Sequence, residues 1–269
     1  HNNKKDFSIW DEWGMNEKYN YGPYPRLDNK MVAHAEVPEP YSNIGPVDGS
    51  YGRMSTAAKG LDGWVKGWDM KRFRYVSEDD RDLLPDEQHA LWIAKKLSGL
   101  DSLSDSNPFF MGVGFVNPHT PLLAPDKYFE MFPLESLVID KFLSDDTLDA
   151  YYNSNFSENI KGRRYYRELL KSYNGDRETA IKTFLQAYLA CVAFMDEQVG
   201  VILDALENSK FKENTIVIFT SDHGWQMGEK NYLFKNSAWE ESTRVPYIVR
   251  YPGIENSAGK KVNHPVSLI

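Results

Sequence analysis

From Asp176 onward the chain keeps apolar side chains at helical spacing for roughly seven turns: Ile181, Phe184, Leu185, Tyr188, Leu189, Val192, Met195, Val199, Ile202, Leu203 and Leu206 form one stripe. Asp176 suits the N-cap, because a short carboxylate can accept from the unpaired amides of the first turn. A helix of that length needs a broad apolar partner. The next run, TIVIFTSD at 215–222, is apolar and β-branched and reads as a buried strand, and VPYIVRYPG at 245–253 contains another. A helix feeding a strand, more than once along the chain, predicts an α/β domain with a largely parallel central sheet flanked by helices. Cys191 falls inside the helix, where the expected role is a small packed side chain, not a nucleophile or ligand.

Upstream, residues 7–75 are rich in Tyr, Trp, Pro, Gly and Asn and show no sustained period of 2 or 3.6. They read as a long irregular insertion that its aromatics keep ordered on the surface. PDEQHALWIAKKLS at 85–98 opens on a proline and spaces Ala90, Ile93, Ala94 and Leu97 as a helix does. PFFMGVGFV at 108–116 reads as a strand covered on both faces; the three prolines of NPHTPLLAP cannot extend it, which places His119 in a loop past its end. With 269 residues, 41% hydrophobic and 26% charged, the chain can build one large domain. Its net charge of -8 argues against a nucleic-acid backbone as the main partner. A single cysteine excludes an internal disulfide framework and a cysteine-based zinc cluster. No apolar run approaches the ~20 residues of a membrane span, and no signal-peptide pattern is visible. Both ends, HNNKKDFSIW and HPVSLI, are abrupt and read as part of a longer sequence.

Ligands of parallel α/β sheets collect outside the carboxyl ends of the strands. That rule puts His119 and the pair Asp222 and His223 on one rim, and the Gly-punctuated stretch GWQMGEKNYLFK can return Lys235 to it. One carboxylate, two imidazoles and an ammonium suit a bound cation and an oxyanion neutralised together. Taken singly, each residue has an ordinary explanation: an aspartate after a strand caps or turns, a strand-end histidine is hydrogen-bonded, a lone lysine is solvated. Their convergence carries the functional reading. His34, His89 and His264 have no supporting neighbours in sequence and read as surface or packing residues, and Asp79-Asp80 and Asp145-Asp146 read as solvated faces.

Three blocks, PFFMGVGFVNPHTPLLAPDKYFEMFP, AYLACVAFMDEQVGVILDAL and TIVIFTSDHGWQMGEKNYLFKNSAWEESTRVPYIVRYPG, resemble in order and spacing the type I sulfatases of the alkaline phosphatase superfamily, nearest the iduronate-sulfatase-like branch. P-H-T-P, S-D-H-G and the order Lys235, Glu241, Arg244, Val245, Pro246 carry the likeness, which fades in the aromatic-rich first third. The resemblance implies that residues 1–269 are an incomplete large catalytic domain of the sulfatase and alkaline-phosphatase-like fold. The nucleophile-bearing N-terminal part and the small C-terminal domain are then expected outside the chain. It implies hydrolysis of a sulfate ester on a sulfated carbohydrate or other small molecule.

In that reading Asp222 and His223 match metal-site residues, and the ion is calcium; donor chemistry alone, with a nitrogen present, suggests zinc or manganese instead. Lys235 matches the lysine that holds the sulfate, and His119 the histidine that contacts the sulfate or protonates the leaving alcohol. His1 matches the last residue of a G-K-x-x-H stretch. Asn117 stands where many relatives place a lysine before P-H, at a substrate contact. The family's formylglycine nucleophile arises from Cys or Ser in C/S-x-P/A-x-R, which CVAFM at Cys191, STAAK and SNPFF all fail to match. It is expected outside this chain, and the 269 residues alone are expected to be inactive. The family is mostly exported, which implies a periplasmic or extracellular location, while oligomeric state has no signal. Two other readings stand beside this one. The first is a phosphodiesterase or phosphonate hydrolase of the same superfamily, although no histidine here has Asp four residues earlier, as two-zinc members usually do. The second is a non-catalytic chain that keeps the fold and binds a sulfated glycan.

Overall fold

The computed structural model describes residues 11–14, 21–28, 30–51, 62–66, 71–101, 107–143, 145–150, 155 and 157–267. Its helices are α1 (Pro85–Asp101), α2 (Asp126–Glu130), α3 (Lys161–Ser172), α4 (Arg177–Glu207) and α5 (Glu240–Thr243). Its strands are β1 (Tyr24–Leu27), β2 (Lys30–Met31), β3 (Ile44–Val47), β4 (Gly63–Lys66), β5 (Lys71–Arg72), β6 (Tyr75–Ser77), β7 (Asp80–Arg81), β8 (Leu122–Pro125), β9 (Val217–Thr220) and β10 (Tyr247–Arg250).

Helix α4 runs for 31 residues and starts where the sequence places it: the Asp176 carboxylate accepts from the Thr179 amide at 3.1 Å and from its hydroxyl at 2.7 Å. The face it buries completely is narrower and smaller in side-chain volume than the expected stripe. Ala180, Ile181, Phe184, Ala187, Ala190, Cys191, Phe194 and Gln198 are buried, while Leu185, Tyr188, Leu189 and Val192 lie half-buried on its flanks. Small residues at helical spacing let neighbours approach the helix backbone closely, which long side chains would prevent. The neighbours include α1, α2, α3 and the parallel pair β3–β8. That pair runs in register from Ile44 opposite Leu122 to Val47 opposite Pro125, and all eight residues are buried. The Tyr128 ring of α2 meets Phe194 edge-on at 5.5 Å.

Helices packed over ladders of both directions make a mixed α/β molecule, and among the described residues the parallel pairing is confined to β3–β8. Three local expectations are corrected. Residues 108–116 form no ladder: Phe109 and Met111 pack on a second cluster built from Ile93, Leu97, Leu206 and Phe211, while Phe110 is 82% exposed. Their glycines and alternating exposure outweigh the apolar composition that suggested a strand. TIVIFTSD does supply β9, which pairs antiparallel with β10, but the ladder is not buried; Ile218 is 58% and Ile248 60% exposed. Composition reports strand propensity, and says little about what covers the strand. Finally, the stretch read as irregular contains, over its described residues, an antiparallel sheet in the order β2-β1-β4-β5, with Tyr41, Trp64 and Phe73 fully buried beside it. Strands of two to four residues are too short to show a period.

His34, read as a packing residue, is one: its ring stacks on Trp64 at 6.1 Å, accepts at Nδ1 from the Glu36 amide and lies with Nε2 3.3 Å from the Asp48 carboxylate. Asp146, read as part of a solvated face, is instead bound to Lys230 through both the amide at 2.7 Å and the ammonium at 2.8 Å.

Cys191 is fully buried, and burial pushes its thiol well above the ordinary range, so almost no thiolate is present to react. A thiol reagent added to the folded chain at neutral pH is expected to label Cys191 only at the rate of unfolding. Rapid labelling under native conditions would contradict this packing.

Candidate functional site

Beyond β9 the chain turns sharply at Ser221-Asp222-His223-Gly224, and the turn is shaped by the segment that follows it. The Gly224 amide donates to the Ser242 carbonyl at 2.8 Å, and a Cβ on Gly224 would collide with the Glu241 carbonyl. Thr220 donates its hydroxyl to the Pro246 carbonyl at 2.9 Å. The E-x2-R-V-P segment is therefore the floor on which the Asp-His turn rests.

The path from His223 to Lys235 is a tight return. The Gln226 amide donates to the Phe234 carbonyl and the Gly228 amide to the Tyr232 carbonyl, closing a loop whose tip needs positive φ at Gly228 (111°), Lys230 (55°) and Asn231 (54°). Asp146 and Asp149 hold the Lys230 ammonium, and Arg177, the first residue of α4, donates to the Gly228 carbonyl. Trp225 seats the loop on the core: its ring stacks on Phe184 of α4 at 6.2 Å and meets Phe234 edge-on at 5.1 Å. Residue 235 thus arrives beside residue 223.

There the Lys235 ammonium donates to His223 Nε2 at 2.8 Å. His223 Nδ1 faces the Gly224 carbonyl at 2.8 Å; a carbonyl only accepts, so Nδ1 carries the proton and Nε2 keeps the lone pair that Lys235 meets. His119 repeats the pattern, with Nδ1 2.6 Å from the Thr120 carbonyl, which leaves its Nε2 as the free nitrogen. The two imidazoles lie 6.5 Å apart, edge to face. Burial lowers the proton affinity of His119; the bond to Thr120 acts the other way, and the charges of Lys235, His223 and Lys161 lower it further. Burial also lowers that of Lys235, against the pull of Asp222 and with the push of Lys161. Asp222 Oδ1 is 3.6 Å from His223 Nε2, and its side chain is 87% exposed at the rim.

Asp222, His223, Lys235 and His119 therefore meet, as the rim argument requires. Asn117 lies on the same loop, but its side-chain amide donates to Asp86 at 3.1 Å, as do the backbone amides of Val116 and Asn117. Tyr21, Pro85, Asp86, Asn117 and Pro121 line a small cleft there. His1 lies outside the described residues. The donor set fits a hard cation in part. Asp222 offers an exposed carboxylate, but the nitrogen of His223 that would face an ion is engaged by Lys235, and no third His, Cys, Asp or Glu joins them among the described residues.

Sequence reading missed three contributors. The Tyr21 ring stands 5.2 Å from that of His119. Asp86 looks like an ordinary first-turn acid until the loop it holds is seen. Lys161 has no motif; only the docking of α3 brings its charge near His119 and Lys235.

A family model described as Sulfatase matches residues 39–269. The chain is 35% identical over 187 residues to a sulfatase of Formosa agariphila, covering 70% of this chain and 34% of that protein. It is 32% identical to the iduronate 2-sulfatase of Mus musculus (66% of this chain, 32% of that one) and 34% identical to an ulvan-active sulfatase of Formosa agariphila (61% and 27%). The chain thus spans about a third of the length of the curated relatives it matches. Among solved structures, a phosphonate monoester hydrolase from Silicibacter pomeroyi superposes with a TM-score of 0.50 at 22% identity, over 62% of this chain and 34% of that one, a likeness of fold.

Gly224→Ala is expected to cost about 1–3 kcal/mol by overpacking against the Glu241 carbonyl, read as a lowered thermal midpoint; an unchanged midpoint would mean that the turn is not pinned there. In an NMR titration His119 is expected to deprotonate below the ordinary histidine range, since burial disfavours the imidazolium. A midpoint at or above that range would show that the ring is solvated.

Proposed function

We propose, because this chain belongs to the sulfatase family, that the complete protein hydrolyses a sulfate ester on a sulfated carbohydrate. The observation that carries the reading is the Lys235 ammonium bonded to His223 Nε2, with the free nitrogen of His119 and the carboxylate of Asp222 around it. The relatives named for iduronate 2-sulfate and for ulvan support a sulfated sugar as the substrate class.

Cleavage of the S–O bond places negative charge on the leaving oxygen and spreads it over the sulfuryl oxygens. Lys235 has three N–H donors and uses one on His223, so two remain for sulfate oxygens. Its proton affinity, lowered by burial, is restored by an anion beside it, which is the differential interaction that favours a sulfate there. His119 is neutral at rest with Nε2 unprotonated. An incoming anion favours its imidazolium, and the proton it then holds can pass to the leaving alkoxide. Our reading gives the sugar ring to the side of the site where Asn117 lines a small cleft on the loop that carries His119.

Sulfatases use a metal ion and a formylglycine. Calcium is our reading for the metal, with Asp222 as an oxygen ligand; the ion would add positive charge at the sulfuryl oxygens. His223 becomes a ligand only if Lys235 releases it. No Cys or Ser of the 269 residues stands in C/S-x-P/A-x-R, so the reading puts the nucleophile on a further part of the protein. The described helices include none long and apolar enough to cross a membrane. We place the protein in the periplasm or outside the cell, as for most of its family.

In the full-length protein, Lys235→Ala is expected to lower kcat/KM for a sulfate ester by about 10²–10³-fold, as when one preorganised charge partner is lost. An unchanged rate would remove Lys235 from the site. Preference for phosphate or phosphonate esters over sulfate esters by the unaltered protein would move the assignment to a phosphonate hydrolase.

A further inference from the structure

Lys161, the first residue of α3, is a strong charge near the site that, among the described residues, the proposed reaction leaves without a task. Its position is fixed by packing. The Leu233 amide donates to the Gly162 carbonyl at 3.1 Å, and the Tyr232 ring fills the space that a Cβ on Gly162 would need. The first turn of α3 is thereby fastened to the segment that leads into Lys235. The Lys161 ammonium lies over the buried ring of Phe234 at 4.4 Å and 5.3 Å from that of Tyr165, and these two rings meet edge-on at 5.7 Å.

Several neighbouring cations are answered by acids: Lys230 by Asp146 and Asp149, Arg163 and Arg167 by Glu158, Arg164 by Glu168. Among the described residues Lys161 makes no ion pair, in a chain whose net charge is -8. Its charge still reaches the site, since it disfavours the protonated forms of both His119 and Lys235. Among the described residues the site holds two ammonium groups and one carboxylate, Asp222, while each imidazole keeps an unprotonated Nε2, so Lys161 adds a cation beyond the Lys235 that the sulfate engages.

We infer that Lys161 recognises a second anionic group of the substrate, a carboxylate or a further sulfate on the same sugar chain. This rests on the sulfate-ester reading and deepens it. Lys235 keeps two donors for the sulfate beside His223, whereas Lys161 is supported by aromatic faces and makes no ion pair among the described residues, which leaves it for a different anionic group. The ring faces hold the ammonium without neutralising it, which keeps its donors available and reduces the ordering cost when the ligand arrives.

The test uses the full-length protein and three sulfate esters of one sugar: a neutral ring, the same ring with a carboxylate, and the same ring with a second sulfate. The unaltered protein is expected to show a kcat/KM about tenfold or more higher for at least one doubly anionic ester than for the neutral one. Lys161→Ala is expected to collapse that ratio at least fivefold, and Lys161→Arg to keep it, because a guanidinium retains the charge and also stacks on aromatic rings. A preference for the carboxylate ester alone assigns a uronate, for the second sulfate alone a disulfated sugar, and for both a charge-only requirement. Equal rates on all three esters, or an unchanged ratio in Lys161→Ala, would overturn the inference while leaving the sulfatase reading intact. No turnover of any sulfate ester by the unaltered protein would overturn both.

Discussion

The stack of Phe184, Trp225 and Phe234 is the contact on which the rest of the site depends. Phe184 belongs to the buried face of the long helix, Trp225 to the turn after β9, and Phe234 immediately precedes Lys235. Three rings that bury large apolar areas therefore join the core to both arms of the loop. The helix can serve as that anchor because its small residues let the parallel pair and α1 close against it, leaving little freedom to tilt. Tyr165 extends the same aromatic series to α3 and so to Lys161. The loop that carries the cationic groups is thus braced from two helices, and its polar atoms inherit their positions from apolar packing.

That rigidity matters for the electrostatics. Each imidazole gives its Nδ1 proton to a backbone carbonyl one residue along the chain, so backbone geometry fixes which nitrogen faces the pocket. With both Nε2 atoms unprotonated and Lys235 bonded to one of them, the pocket holds positive charge and lone pairs side by side. An anion entering such a place strengthens each proton already there, which is the opposite of what water does when it screens the same groups. The exposed carboxylate of Asp222 keeps one side of the pocket acidic and open.

Much of this was readable from residues alone, and the reason differs from part to part. The helix at 177–207 announced itself because thirty residues average out local exceptions, and its cap is a matter of chemistry within four positions. The meeting of His119, Asp222, His223 and Lys235 followed from strand-end logic even though the strand expected at 108–116 is absent, because the prolines around His119 still enforce a turn there. The small sheet of the first third stayed hidden since strands as short as Lys30–Met31 carry no pattern. Lys161 and Asp86 were invisible for another reason: the residues that tie them to the site, Phe234 for one and Val116 and Asn117 for the other, lie 30 or more residues away in sequence, and nothing local distinguishes them from ordinary helix-start residues.

The β9–β10 ladder bears on how the chain behaves in solution. Among the described residues it is a ribbon of two strands with Ile218, Ile248 and Val249 open to solvent, and its outer backbone groups have no ladder partner. Open edges of β-branched residues are templates onto which another chain can add. The behaviour of this stretch at high concentration is therefore a question of colloid chemistry as much as of folding: what limits it in solution is how quickly one copy finds another, and a covering surface, wherever it comes from, acts as a solubiliser.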